Sequence, residues 1–142
     1  MFHDIEQKII DRLKEVLPAD VHVATEQELE RVEELRQKAP AAWVIYDGFS
    51  VGPKVASGAV QQITQEWLVV VAAKSAKGRG NSAAARDEAG EIAQQVLQAL
   101  LGYHLGGGKY LHLGDAPGPT YDAGYCHLPL AFTNAATFKG QT

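Results

Sequence analysis

Cysteine is almost absent. Cys126 is the only one in 142 residues, so no disulfide can close within the chain, which suits a reducing cytoplasm. Long hydrophobic runs are missing as well: the longest, WLVVVAA at 67–73, falls far short of the roughly 20 residues a membrane helix requires. Asp4, Glu6, Lys8, Asp11 and Arg12 interrupt the first apolar residues, which excludes the continuous apolar core of a signal peptide and leads us to expect synthesis into the cytosol. Neither charge sign is blocked into a run. Thirteen basic against seventeen acidic residues give a net charge of −4, without the clustered basic face that nucleic acid attracts. Serine-hydrolase chemistry has no G-x-S-x-G elbow to stand on.

What remains is an ordinary globular composition, 46% hydrophobic and 21% charged, enough for one core and one domain spanning 1–142. The chain turns on residues 59–101, which read as a long strand, a polar glycine turn and a long helix. Ile63, Gln65, Trp67, Val69, Val71 and Ala73 alternate with Gln62, Thr64, Glu66, Leu68, Val70 and Ala72, the period of a strand. Run from 60 to 73, such a strand would span ~46 Å at ~3.3 Å per residue, so it must bend or project past its sheet. The helix that follows, capped by Asn81 or Ser82, gathers Ala85, Ala89, Ile92, Val96, Ala99 and Leu100 on one face and stops at Gly102 in the C′ position.

Before that spine, Ile5, Ile9, Leu13, Val16 and Leu17 recur at helical spacing, with Asp4 as N-cap and Pro18 as stop. Residues 21–24 form a short β-like segment. Thr25 and Glu28 have capping-box spacing and open a second amphipathic helix with an acidic start. AWVIYD at 42–47 has strand composition and is the expected neighbour of the long strand. Residues 48–58 are too rich in glycine for regular structure yet hold Phe49, Val51 and Val55. Those three belong either to a hairpin tip folded onto its own core or to a surface that docks on another chain. After the central helix, 110–113 alternate as a strand. Residues 125–132 read as a last long strand, extensible to Phe138, with an edge or bulge at Pro129 because proline lacks an N–H.

Three chemical readings compete with bland ones. KGRGNS at 77–82 and GGGK at 106–109 place glycine beside cations, but neither spacing fits a dinucleotide fingerprint or a P-loop, so both are expected to be loops. His104, His112, Cys126 and His127 include the ligand types zinc favours, but adjacent Cys126 and His127 point to opposite faces of a strand. No base or cationic cluster beside Cys126 marks it as a nucleophile, and Asp115 and Asp122 flank a turn where aspartate bonds backbone. No metal, cofactor or catalytic residue is expected.

The element order resembles one known family. A helix ending in Leu17-Pro18, a strand bearing Trp43 and Tyr46 and a long strand ending WLVVVAA come first. An Asn/Gly turn, a helix ending ALLGY and a final strand LPLAFT at 128–133 follow. Together they resemble the tail terminator, or tail completion, proteins of long-tailed phages, especially their Mu-like prophage branch. The resemblance implies an α+β domain whose mixed or mainly antiparallel sheet of four to five strands packs on two to three helices. It also implies a homo-oligomeric, hexameric ring that caps the tail tube, stops its growth and offers a docking surface to the head. Its partners would then be the tail tube protein and head–tail connector proteins, met in the host cytoplasm and kept in the virion tail, with no membrane and no sequence-specific nucleic acid. Ring contacts are expected at Phe49, Val51, Lys54, Val55, Gln62 and Arg79. Two alternatives stand beside this reading: a head–tail connector or other neck protein, and a nucleotide-binding enzyme using KGRGNS and GGGK.

Overall fold

The computed structural model describes residues 2–25, 39–74, 82–122 and 124–141. Among the described residues two helices, α1 (Phe2–Val16) and α2 (Ser82–Leu100), pack on one face of a sheet. The strands are β1 (His22–Thr25), β2 (Ala41–Lys54), β3 (Val60–Lys74), β4 (His104–Gly106), β5 (Lys109–Tyr110), β6 (His112–Gly114), β7 (Thr120–Asp122) and β8 (Tyr125–Lys139). Sheet order is β1-β2-β3-β8-β6, with β7 also on β8, and β4 and β5 form a separate hairpin. Among the described residues only β1 and β2 pair in parallel; every other pairing is antiparallel. The α+β class expected from the sequence is the class observed. Thr25, expected to open a second helix, is the last residue of β1, and residues 26–38 of that helix lie outside the described residues, as do 77–81 of the KGRGNS turn, whose Ser82 begins α2.

β3 is the spine because its alternation serves two neighbours at once. It pairs with β2 from Gln61 to Ala72 and with β8 along its whole length. All six residues assigned to its inner face are buried, and Trp67, Val69, Val71 and Ala73 join the main core. On α1, Ile5, Ile9, Leu13 and Leu17 meet that core; Val16 is exposed at the last turn, and Ile10 is buried instead. Fully covering a residue such as Ile9 or Leu13 stabilises the fold by about 1.5–3 kcal/mol each. On α2, Ala85, Ala89, Ile92, Val96, Ala99 and Leu100 are all buried, and the small alanines let the helix lie close to the sheet. Gly102 ends it at φ +69°, the left-handed C′ conformation that glycine adopts without a Cβ penalty. Arg12 ties the two helices together: its Nε donates to the Ala99 carbonyl at 3.1 Å, and its guanidinium lies 5.0 Å from the Tyr103 ring centre.

Two segments, 48–58 and 110–113, depart from the sequence reading. β2 does not stop at Asp47 but runs to Lys54, because two register shifts, after Tyr46 and between Val51 and Lys54, absorb Gly48, Gly52 and Pro53 without ending the pairing. The 110–113 segment is not one strand. Leu111 turns into the core, where its N–H donates to the Tyr103 carbonyl and its own carbonyl accepts from Gly102 N, so β5 and β6 part on either side of it. GGGK is the turn of the β4–β5 hairpin, with Gly106, Gly107 and Gly108 all at positive φ. At Pro129 the edge expected from its missing N–H is present. β7 stops opposite His127 and β6 begins opposite Ala131, leaving the gap where proline sits.

Candidate functional site

β1 accompanies β2 only from Ala41 to Val44, and β6 accompanies β8 only from Ala131 to Thr133. Beyond those points β2, β3 and β8 continue together as a three-stranded arm, ending at the 55–59 turn. Thus the overlong strand does not run on alone: it continues with two partners of similar length.

Cross-strand register sorts the arm's side chains into rows. Tyr46, Trp67 and Phe132 form the innermost row, and the rings of Tyr46 and Trp67 lie 4.8 Å apart. Next come Phe49, Gln65 and Asn134, then Val51, Ile63 and Ala136, and at the end Lys54, Gln61 and Phe138. Because paired residues and alternate residues of one strand share a face, all four rows lie on one side. The first row is core. Farther out, the central strand stays covered at Ile63 while Phe49, Val51 and Phe138 are 54%, 57% and 38% exposed. Val55 in the turn is exposed too, so apolar surface continues around the end of the arm.

An amide chain underlies that surface. Trp67 Nε1 donates to Asn134 Oδ1 at 2.8 Å, and Asn134 Nδ2 donates to Gln65 Oε1 at 2.8 Å, all three residues being buried. Gln65 Nε2 has no acceptor among the described residues. Buried amides are tolerated when their hydrogen bonds are made, and these can be made in only one register of β3 against β8. The chain therefore fixes how the arm is aligned.

Of the residues singled out by sequence, Phe49, Val51, Lys54 and Val55 come together at the arm's end. Gln62 is exposed but pairs with Thr137 on the reverse face. Arg79 lies outside the described residues. Phe138 and the Trp67–Asn134–Gln65 chain were missed. Phe138 continues the alternation of Phe132, Asn134 and Ala136, which was the available signal. Nothing local marks Gln65 and Asn134 as partners.

The four metal-type residues do not converge. His104 stacks on Tyr110 with ring centres 4.7 Å apart, His112 pairs with Thr133, His127 lies 5.5 Å from the Trp43 ring centre, and Cys126 is buried beneath β7. Among the described residues no group of three His, Cys, Asp or Glu side chains could hold a metal ion, and no helix is long and apolar enough to cross a membrane. Burial pushes the Cys126 thiol up from its ordinary pKa, against smaller opposing effects of the Arg86 charge and a hydrogen bond with Tyr121. A raised pKa keeps the sulfur protonated and unreactive at neutral pH. Alkylation by iodoacetamide at pH 8 is expected to run at least about tenfold slower in the folded chain than in urea; equal rates would show the thiol to be open.

The sequence profile of a family described as phage tail terminator protein matches residues 2–142. No curated protein matches the chain.

Proposed function

The chain belongs to the phage tail terminator family, whose profile spans it almost from end to end, and from that premise we propose that it assembles into a hexameric ring on the end of the tail tube. Family membership makes it a structural protein of the phage tail. In our reading the ring stops tube growth and gives the head its docking surface, and the subunit does no catalysis. Its contacts would be with neighbouring copies, the tail tube protein below and connector proteins above, formed in the host cytoplasm and retained in the virion. The Mu-like prophage branch belongs to the same reading and rests on the resemblance in element order.

One observation carries the ring: the arm exposes Phe49, Val51 and Phe138 on one face beyond the domain's core. Closed rings of identical subunits join one patch to a different patch on the next copy. Phe49, Val51, Val55 and Phe138 supply one such patch, with Lys54 at its rim and Gln62 behind it. Light scattering over rising concentration, alone and with tube protein, tests this. The expected species has about six times the 15.3 kDa mass of one chain; a monomer under both conditions would contradict it.

A further inference from the structure

A ring needs a second patch on every copy, different from the first and turned toward the other neighbour. Away from the arm, the exposed large apolar side chains among the described residues are Val16, Leu101, Tyr110, Leu113 and Tyr121. Tyr110 is stacked on His104 and Tyr121 hydrogen-bonds with Cys126, so both rings already have partners. Val16 stands at the end of α1. Leu101 and Leu113 do not stand apart. Gly102 N donates to the Leu111 carbonyl and Leu111 N to the Tyr103 carbonyl, which brings the chain just after α2 and the start of β6 to one corner. There Leu101 is 49% and Leu113 57% exposed.

The corner has a defined place and orientation. Leu113 pairs with Phe132, so it extends the core row Tyr46, Trp67, Phe132 by one strand. It therefore lies on the helix-bearing face, the one that carries Phe49, Val51 and Phe138 on the arm. Among the described residues β6 ends the sheet on one side, and along the arm β2 ends it on the other. Two apolar patches thus share a face and stand at opposite edges of one sheet. Contact between opposite edges repeats in one direction from copy to copy, as a closed ring requires. Leu101 is also held from both sides. Arg12 Nε donates to the Ala99 carbonyl with its guanidinium over the Tyr103 ring, and Lys8 Nζ donates to the Leu105 carbonyl. A surface fixed in advance loses little freedom on binding.

The rims of the two patches differ in sign. Residues 48–65 and 132–142 include Lys54 and Lys139 and no aspartate or glutamate, and Glu66 pairs with Thr133 on the reverse face. Residues 110–122 include two aspartates, of which Asp115 is exposed beside β6, and no lysine or arginine. Of the cations on neighbouring elements, Lys8 and Arg12 are engaged as described, Lys109 lines the cleft against Ala135–Thr137, and Arg86 lies by Cys126.

We propose that the Leu101–Leu113 corner is where each copy receives the arm of the next, with Phe49 and Val51 of one chain packed on Leu101 and Leu113 of its neighbour and the arm's lysines toward Asp115. This assignment rests on the ring reading and names the other half of that contact.

Mixing two variants tests it, under conditions where wild type assembles. Leu101→Asp with Leu113→Asp spoils the corner and leaves the arm; Phe49→Asp with Val51→Asp does the reverse. Each alone is expected to associate about a hundredfold more weakly and to scatter light as a monomer. An equimolar mixture is expected to stop at pairs, because one sound arm meets one sound corner and neither remaining patch can continue. A corner variant that assembles like wild type, or a mixture that stays monomeric or grows beyond pairs, would overturn the corner while leaving the ring standing. Wild type that stays monomeric, alone and with tube protein, would overturn both. If the corner variant misfolds, Val51→Cys with Leu113→Cys decides. A short bismaleimide is expected to join the double variant into a ladder of up to about six chains and to join neither single variant; no ladder would overturn the proposal.

Discussion

Asn134→Ala is expected to lower the stability of the fold by about 2–5 kcal/mol, although it removes only a small amide. Asn134 is the middle link of the buried chain, accepting from Trp67 Nε1 and donating to Gln65 Oε1. Its loss leaves two polar atoms unpaired in a site closed to water, each costing about 1–3 kcal/mol, and adds a small void. Gln65→Leu is expected to cost less, about 1 kcal/mol, because Asn134 Nδ2 keeps its long hydrogen bond to the Ala135 carbonyl at 3.5 Å and the amide nitrogen removed already lacks an acceptor. Urea unfolding separates the two, provided the chains are compared at one concentration, since assembly would add to the apparent stability. A midpoint for Asn134→Ala equal to wild type, at unchanged slope, would show that the amide chain does not hold the arm in register.

The second large effect concerns assembly rather than folding. Phe49→Asp combined with Val51→Asp is expected to weaken ring association by about a hundredfold or more, because it places two charges where an apolar contact must be desolvated. Folding should change by no more than about 1 kcal/mol, since both side chains are more than half exposed and lose little packing. Light scattering then returns the monomer mass, while thermal unfolding of the monomer stays near that of dissociated wild type. If the variant forms the same rings as wild type, the arm face is not the contact. If it unfolds, Phe49 and Val51 belong to the core, and the structural reading of the arm fails.

Much of this fold was legible because β3 declares itself. Its strict alternation names both faces over 12 positions, from Gln62 to Ala73, and every residue of the inner set is buried. The alanine stripe of α2 and the glycine after it were equally plain, since helix period and C′ chemistry are local. Residues 48–58 misled for a physical reason. Gly48, Gly52 and Pro53 speak for a loop by local conformation, but a long hairpin absorbs them in bulges once β3 supplies a continuous partner. Leu111 broke an apparent strand because a tertiary demand, burial against the loop after α2, outweighed the alternation of its neighbours.

For the candidate site, apolar residues in a glycine-rich stretch were a usable sign, and it brought out Phe49, Val51 and Val55. The amide chain was beyond reach. Gln65 and Asn134 are 69 residues apart, and only the observed register makes them neighbours.

The proposed role of this chain is to end tube growth. It is tested most directly by polymerising the tail tube protein of the same phage with and without the purified chain, and reading tube length and end occupancy by electron microscopy. Rings are expected at one end of each tube, with lengths that stop increasing once those ends are filled and with the Phe49→Asp, Val51→Asp variant leaving growth unchecked. Tubes that continue to lengthen at the control rate with wild-type chain in excess, or that carry none of it at their ends, would contradict it.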